Sequence, residues 1–170
     1  MKKLLMTAAL LVVGATAFGA TAPVNVSLSV VETSQLVIMD QGQQLTQIDL
    51  THPQILLSSA KIANTPSIVS QNFKVQTGDG STIKVSNADA TSLDYTLEGV
   101  PTATGILTLV GANGTTLSST LKLAVDNETF TSASEGLQNT ITSTIAPSAL
   151  NGLTAAGTYT GAATLKVVAK

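Results

Sequence analysis

The segment 24–30 alternates strictly between apolar and polar residues. Successive side chains of a β-strand point to opposite faces of a sheet, so this alternation predicts a strand with one apolar face. That face comprises Val24, Val26, Leu28 and Val30. Burying each of these side chains is worth roughly 1.5–3 kcal/mol. The strand therefore carries enough apolar surface to be anchored in a core.

The residues before this strand have the layout of a secretion signal. Lys2 and Lys3 precede the apolar run 4–13, and small residues follow up to Ala22. The apolar run is far shorter than the roughly 20 residues that a membrane span requires. We therefore predict a signal peptide over residues 1–19, with a cleavage window at 19–22. The exported chain then begins with the strand at 20–31.

The remainder of the chain reads as short strands separated by turn signals, which predicts an all-β sandwich in one domain, residues 32–170. Residues 73–86 predict a hairpin around Gly78-Asp79-Gly80, and 106–125 predict another around Asn113-Gly114. Pro53 is expected to end the segment before it. Further strands are predicted at 36–39, 93–97, 137–145 and 163–169.

Composition limits how such a fold is held together. Aromatic residues make up only 3% of the chain, and tryptophan and cysteine are absent. Aliphatic side chains must therefore supply nearly all of the core. Without cysteine, an exported protein has no disulfide framework, so packing and strand pairing must stabilise it.

Charge excludes some classes of partner. The chain has no arginine, and its eight lysines include Lys2 and Lys3, so six remain against ten acidic residues. The resulting formal charge of about −4 lacks the clustered cations that bind phosphates in nucleic acids or at lipid surfaces. A surface of mostly neutral hydroxyl and amide groups fits a protein that packs against copies of itself.

No catalytic, cofactor or metal site is predicted. His52, the only histidine, lies beside Pro53 and is interpreted as an ordinary histidine in a turn. No second histidine or cysteine can join it as a metal ligand, and no serine lies in a nucleophile motif. Four acids lie near one another in sequence without the spacing of a calcium loop, and we interpret them as solvated. They are Asp79, Asp89, Asp94 and Glu98.

The two ends of the chain carry the most specific motifs. The strand at 24–30 leads through the polar break 32–35 to the apolar run 36–39 and then Asp40-Gln41-Gly42. At the other end, residues 156–161 open a final strand, 164–168. With the signal segment and the absence of cysteine, these features resemble the major pilin subunits of the alternate (colonisation-factor, class 5) chaperone–usher fimbriae.

The resemblance implies an immunoglobulin-like β-sandwich of the incomplete pilin type, completed by donor-strand exchange. The donor role falls on Val24, Val26, Leu28 and Val30. The acceptor edge includes Leu165 and Val167 of the final strand, while Tyr159 and Gly161 mark and pack its start. A periplasmic chaperone first supplies the missing strand, and the first strand of the next subunit then replaces it.

Two functions remain open at this stage. The first is a fimbrial subunit, exported through the periplasm and polymerised on the cell surface for adhesion, with identical subunits, a chaperone, an outer-membrane usher and a host receptor as partners. The alternative is a self-contained secreted or periplasmic β-sandwich that binds a ligand as a monomer. A small exported hydrolase or inhibitor is a third, disfavoured reading. The first two functions differ in whether residues 20–31 pair within their own subunit or with a neighbouring one.

Overall fold

The fold is known from a computed structural model that describes residues 21–31, 36–77, 84–85, 88–89, 92–129 and 137–169. The predicted signal segment and the polar break 32–35 lie outside the described residues. Thirteen strands and two short helices occur in the described part. The elements are β1 Thr21–Val31, β2 Leu36–Asp40, β3 Gln43–Gln44, β4 Gln47–Leu56, α1 Leu57–Ala60, β5 Ser67–Thr77, β6 Lys84–Val85, β7 Ala88–Asp89, β8 Ser92–Glu98, β9 Ile106–Val110, β10 Thr116–Leu123, β11 Asn127–Thr129, β12 Leu137–Ile145, α2 Pro147–Asn151 and β13 Tyr159–Ala169.

Eleven of these strands form one large mixed sheet, which has two limbs. The central limb runs β9-β10-β12-β5-β2-β3, and all its pairings are antiparallel. The terminal limb runs β4-β1-β13-β8-β11 and contains the parallel pair β1–β13. The limbs join where Thr160 of β13 pairs with Val110 of β9. The all-β class is confirmed; its immunoglobulin-like type stays a prediction.

The two limbs pack on each other around an aliphatic core. The rings of Phe73 on β5 and Tyr95 on β8 meet edge to face, with centroids 6.1 Å apart, so β5 lies across from β8. Alternation buries every second residue of β10, from Leu117 to Leu123. Leu109 and Leu165 are fully enclosed. Since the described residues include few aromatic side chains, close aliphatic packing stabilises the fold.

The hairpin prediction at Asn113-Gly114 is confirmed. Strands β9 and β10 pair antiparallel on either side of a short 3-10 turn over Ala112–Gly114. Gly114 has φ +74°, a left-handed conformation that glycine adopts without steric cost. The strand predicted at 137–145 is also confirmed, as β12.

The hairpin predicted at 73–86 is wrong in its described part. Strand β5 pairs with β12 and β2, whereas Lys84 and Val85 of β6 pair with β7 in a separate two-stranded sheet. A turn signal brings neighbouring strands together only where no distant strand offers a better apolar partner. Here β12 matches β5 over nine consecutive positions, from Leu137↔Val75 to Ile145↔Ser67.

Pro53 does not end its strand, contrary to the prediction. Strand β4 continues to Leu56, and the pairing with β1 shifts register between Ala22 and Val24, opposite Pro53 and Gln54. Proline has no backbone N–H to donate to a neighbouring strand, but at a register shift the pairing does not require a hydrogen bond from it. The strand therefore passes through the proline at a bulge.

Candidate assembly site

The N-terminal strand β1 fills a position between two other strands of its own chain. It pairs antiparallel with β4, from Thr21↔Leu56 to Ser29↔Gln47. On its other edge it pairs parallel with β13, from Val24↔Tyr159 to Val31↔Lys166. In the described part of the chain, β1 is the sole strand partner of β4. The position between β4 and β13 is called the slot below.

Within the slot, donor positions predicted from the sequence align with predicted positions of the final strand. Val26 lies opposite Gly161, and its side chain is completely buried. The backbones of Val24 and Val30 lie opposite Tyr159 and Leu165. Leu28 lies opposite Ala163 and Ile48. The side chains of Val24, Leu28 and Val30 lie outside the described part, and a role of these positions between subunits stays a prediction.

The final strand forms the other wall of the slot. Leu165 and Val167 are buried, and their backbones pair with Leu97 and Tyr95 of β8. The pairing with β1 ends at Lys166, one residue before Val167. Along its β8 edge, β13 first meets β9 and then β8, so this strand crosses from one limb to the other.

The start of β13 is packed too tightly for larger residues. A Cβ atom on Gly161 would lie 2.5 Å from Cδ2 of Leu109. Tyr159 is buried and donates a hydrogen bond from its hydroxyl to the carbonyl oxygen of Ala155, 2.8 Å away. Its ring lies so close to Gly111 that a Cβ there would come within 2.7 Å of Cε1. These contacts fix where β13 enters the terminal limb.

A buried polar cluster lies between the limbs, next to the slot. His52 of β4 is 1% exposed; its Nδ1 lies 2.9 Å from Oγ of Ser67 and its Nε2 2.8 Å from Oγ of Ser143. Oγ of Ser143 lies 2.6 Å from Oγ of Ser119. Burial lowers the pKa of His52 below 6.5, because the charged imidazolium is poorly solvated there.

The interpretation of His52 as a histidine in a turn is therefore wrong. It belongs to β4 and points inward, in step with Ile48 and Leu50 of the same strand. That alternation of Ile48, Leu50 and His52 was the available signal, and Pro53 concealed it. The three serines carry no comparable pattern, because strands distant in sequence bring them to His52. We call His52, Ser67, Ser119 and Ser143 the His52 cluster.

The His52 cluster has the residue types of a serine–histidine pair without the access that catalysis requires. His52, Ser119 and Ser143 are each no more than 1% exposed. The hydrogen-bond partners described for the cluster are hydroxyls and the backbone carbonyl of Thr144, with no carboxylate to orient the ring. The arrangement ties four strands together through side-chain hydrogen bonds.

A depression of about 490 Å³ lies on the outer side of β10 and β12. Its lining residues are Thr120, Lys122, Leu123, Ala124, Thr142 and Thr144. The lining presents hydroxyls and one ammonium group.

The described residues hold no group of three or more histidine, cysteine, aspartate or glutamate side chains suited to a metal ion. None of the helices in the described ranges is long and apolar enough to cross a membrane.

The chain was compared with protein-family models and with curated proteins. No protein-family model matches the chain, and no curated protein matches it either.

Proposed function

We propose that the protein is an exported structural subunit of a surface fimbrium and polymerises head to tail by donor-strand exchange. The observation that carries the proposal is the position of β1. The first strand of the chain occupies an interior position of the terminal limb, between β4 and β13. Once the proposed signal segment is removed, β1 is the first segment of the exported chain, so it could leave this position without unthreading any other element.

The slot has the properties that an exchangeable strand requires. Withdrawal of β1 would leave unpaired backbone groups on both β4 and β13 and would uncover the site of Val26. Open strand edges with apolar surface are prone to pair with another chain. The first strand of a second copy has the same sequence as β1, so it offers the same apolar face to the slot.

Exchange of this kind generates a filament. Each copy would receive a strand in its slot and lend its own β1 to a neighbour, which is a heterologous contact that does not close. A periplasmic chaperone would cover the slot before assembly, and an outer-membrane usher would direct the exchange. Many copies in one filament would strengthen individually weak contacts with a host receptor by avidity. This role involves no catalysis and no cofactor.

The pairing of β1 within its own chain favours a second candidate. A self-contained secreted or periplasmic β-sandwich that binds a ligand as a monomer would keep β1 in its slot permanently. Under the fimbrial proposal, the same pairing belongs to an isolated subunit whose slot no chaperone occupies. The two candidates differ in whether β1 is replaceable in trans.

The deciding experiment compares the chain from residue 20 with a version that begins at residue 32, by thermal unfolding with and without a peptide of residues 20–31. Under the fimbrial proposal, the shortened chain is unstable alone, and the peptide raises its Tm by roughly 10 °C or more, as several kcal/mol of restored burial requires. A peptide carrying Val26→Asp serves as the matched control and should give no rise.

The intact chain then provides the second measurement. At high concentration after partial unfolding, it should form filaments visible by electron microscopy, and excess peptide of residues 20–31 should cap them. A shortened chain that no peptide rescues, together with an intact chain that stays monomeric, would establish the self-contained binding domain instead.

A further inference from the structure

The His52 cluster links the strand beside β1 to the opposite limb of the sheet. His52 comes from β4, whereas Ser67, Ser119 and Ser143 come from β5, β10 and β12 of the central limb. In the pairing of β4 with β1, His52 lies opposite Val24. Each hydrogen bond of the imidazole therefore joins the wall of the slot to the other side of the core.

The cluster is satisfied by a neutral imidazole. With a proton on Nε2, His52 donates to Ser143, Ser143 donates to Ser119, and Ser119 donates to the carbonyl oxygen of Thr144, 3.5 Å away. The Nδ1 atom then accepts from the hydroxyl of Ser67. Every imidazole nitrogen thus has a partner, as buried polar groups require.

Among the described residues, none would serve as the counter-ion of a protonated imidazole in this position. Strand β1 has no ionisable side chain, and neither do α1, α2 and β12. The charged side chains on the other elements around the cluster are Asp49 of β4, Lys74 of β5 and Lys122 of β10, and Lys61 follows α1. Asp49, Lys61 and Lys122 are exposed, and Lys74 is half-buried. An unpaired buried charge is among the most costly groups that a core can hold.

The cost of protonating His52 should fall mainly on the slot, because β4 has few other attachments. In the described part of the chain, β4 pairs with no strand except β1, so its remaining attachment is its inward face, which consists of Ile48, Leu50 and His52. Strands β5, β10 and β12, by contrast, are each held by two neighbours in the central limb. Disruption of the cluster should therefore loosen β4 and its partner β1 before it loosens the central limb.

We propose that His52 is a proton-sensitive latch, which retains β1 in its slot while the imidazole is neutral and releases β1 when the imidazole is protonated. The link to assembly rests on the proposed function, because the retained strand is the one that would be exchanged. Retention itself is a property of the single subunit. Mildly acidic conditions would thus favour exchange, and neutral conditions would preserve the pairing within the chain.

The absence of cysteine allows a direct test. In the chain from residue 20, Val26→Cys places a single thiol in the slot, and Val75→Cys places one on β5 of the central limb, where the side chain is equally buried. Thiol labelling at pH 7.5, 6.5 and 5.5, divided by the rate for an unfolded peptide with the same cysteine, gives the fraction of time that each site is open. The measurement uses monomers, so it does not depend on polymerisation.

We expect opening at position 26 to rise by up to about tenfold between pH 7.5 and 5.5, because the open state takes up a proton at the ordinary histidine pKa of about 6.5, whereas burial disfavours protonation in the closed state. Opening at position 75 should rise clearly less. His52→Gln, which retains one donor and one acceptor, should abolish the pH dependence at position 26. An equal rise at both positions, no rise at position 26, or a rise that survives His52→Gln would overturn the latch.

A second measurement covers the case in which His52→Gln does not fold. His52 is the only histidine of the chain, so in untagged protein its ring proton resonances are unambiguous. We expect amide exchange in β1, corrected for the intrinsic effect of pH, to accelerate over the pH range in which these resonances titrate. Acceleration outside that range would also overturn the proposal. Failure of peptide exchange at all pH values would reject the proposed function but leave the latch measurable.

Discussion

The central and terminal limbs both contribute to the core, but their strands are paired and connected in different ways. The central limb is entirely antiparallel, and its β9–β10 pair closes through a short local turn. The terminal limb brings together both ends of the chain, with the parallel pair β1–β13 at its middle. Parallel partners cannot be joined by a tight turn. The central limb therefore gains cohesion from segments inside the domain, whereas the terminal limb depends on one strand at the chain's beginning.

The terminal limb is therefore the more vulnerable of the two. Loss of β1 removes the middle of the terminal limb and the sole described strand partner of β4. In the described part of the chain, the interior positions of the central limb are held by β10, β12, β5 and β2, which all lie between β1 and β13 in the sequence. Matched substitutions in β1 and β5 should therefore destabilise the fold by similar amounts. They should differ in whether an added peptide with the sequence of β1 can restore folding.

The largest expected effect comes from a buried charge in each limb. Val26 of β1 and Val75 of β5 are both fully buried, so Val26→Asp and Val75→Asp should each cost more than about 4 kcal/mol and prevent folding. A wild-type peptide of residues 20–31 should restore a cooperative thermal transition to Val26→Asp alone. Rescue of both variants, or of neither, would contradict the distinction between the limbs.

A smaller effect is expected at the junction of the limbs. Gly161→Ala places a Cβ within 2.5 Å of Leu109 and 3.2 Å of the carbonyl oxygen of Thr108, so it should destabilise the fold by about 1–3 kcal/mol in chemical denaturation. Gly152→Ala is the control, because its Cβ would meet only atoms 3.4 Å away or more. Its effect should stay within about 0.5 kcal/mol. Equal effects would mean that the crossing of β13 is not tightly packed.

The pH dependence of stability should be more moderate. His52 has a pKa lowered by burial, so the unfolded chain binds its proton first as pH falls below about 6.5. Stability should be constant above that pH with respect to His52 and decline below it, towards the lower pKa of the folded state. Thermal unfolding from pH 7.5 to 5.5 measures this decline. His52→Gln should flatten the profile, and an unchanged slope would assign it to other groups.

The smallest effect is expected from the exposed ion pair of the terminal limb. Nζ of Lys166 lies 3.4 Å from Oε1 of Glu98, and both side chains are substantially exposed. Exposed pairs of this kind contribute about 0–1 kcal/mol, and salt screens them. Glu98→Gln should therefore change the free energy of unfolding by less than about 1 kcal/mol. A larger loss that persists in high salt would indicate a role for Glu98 beyond this pair.

Much of the local structure could be predicted because it depends on neighbouring residues. The turn at Asn113-Gly114 and the alternation within β10 were sufficient to place β9 and β10. Predictions that required a choice between partners were less successful. Gly78-Asp79-Gly80 suggested a hairpin, but β5 pairs with β12 and β2. Pro53 suggested a strand end, but the register shift opposite it lets β4 continue.

Local alternation and composition are enough to predict the all-β class, the strand at 24–30 and the aliphatic character of the core. Only the tertiary structure placed β1 between β4 and β13, in parallel with the final strand. Only the fold brought Ser143 and Ser119 to His52. Both features depend on contacts between distant segments, whose free energies compete across the whole sheet and leave no local pattern.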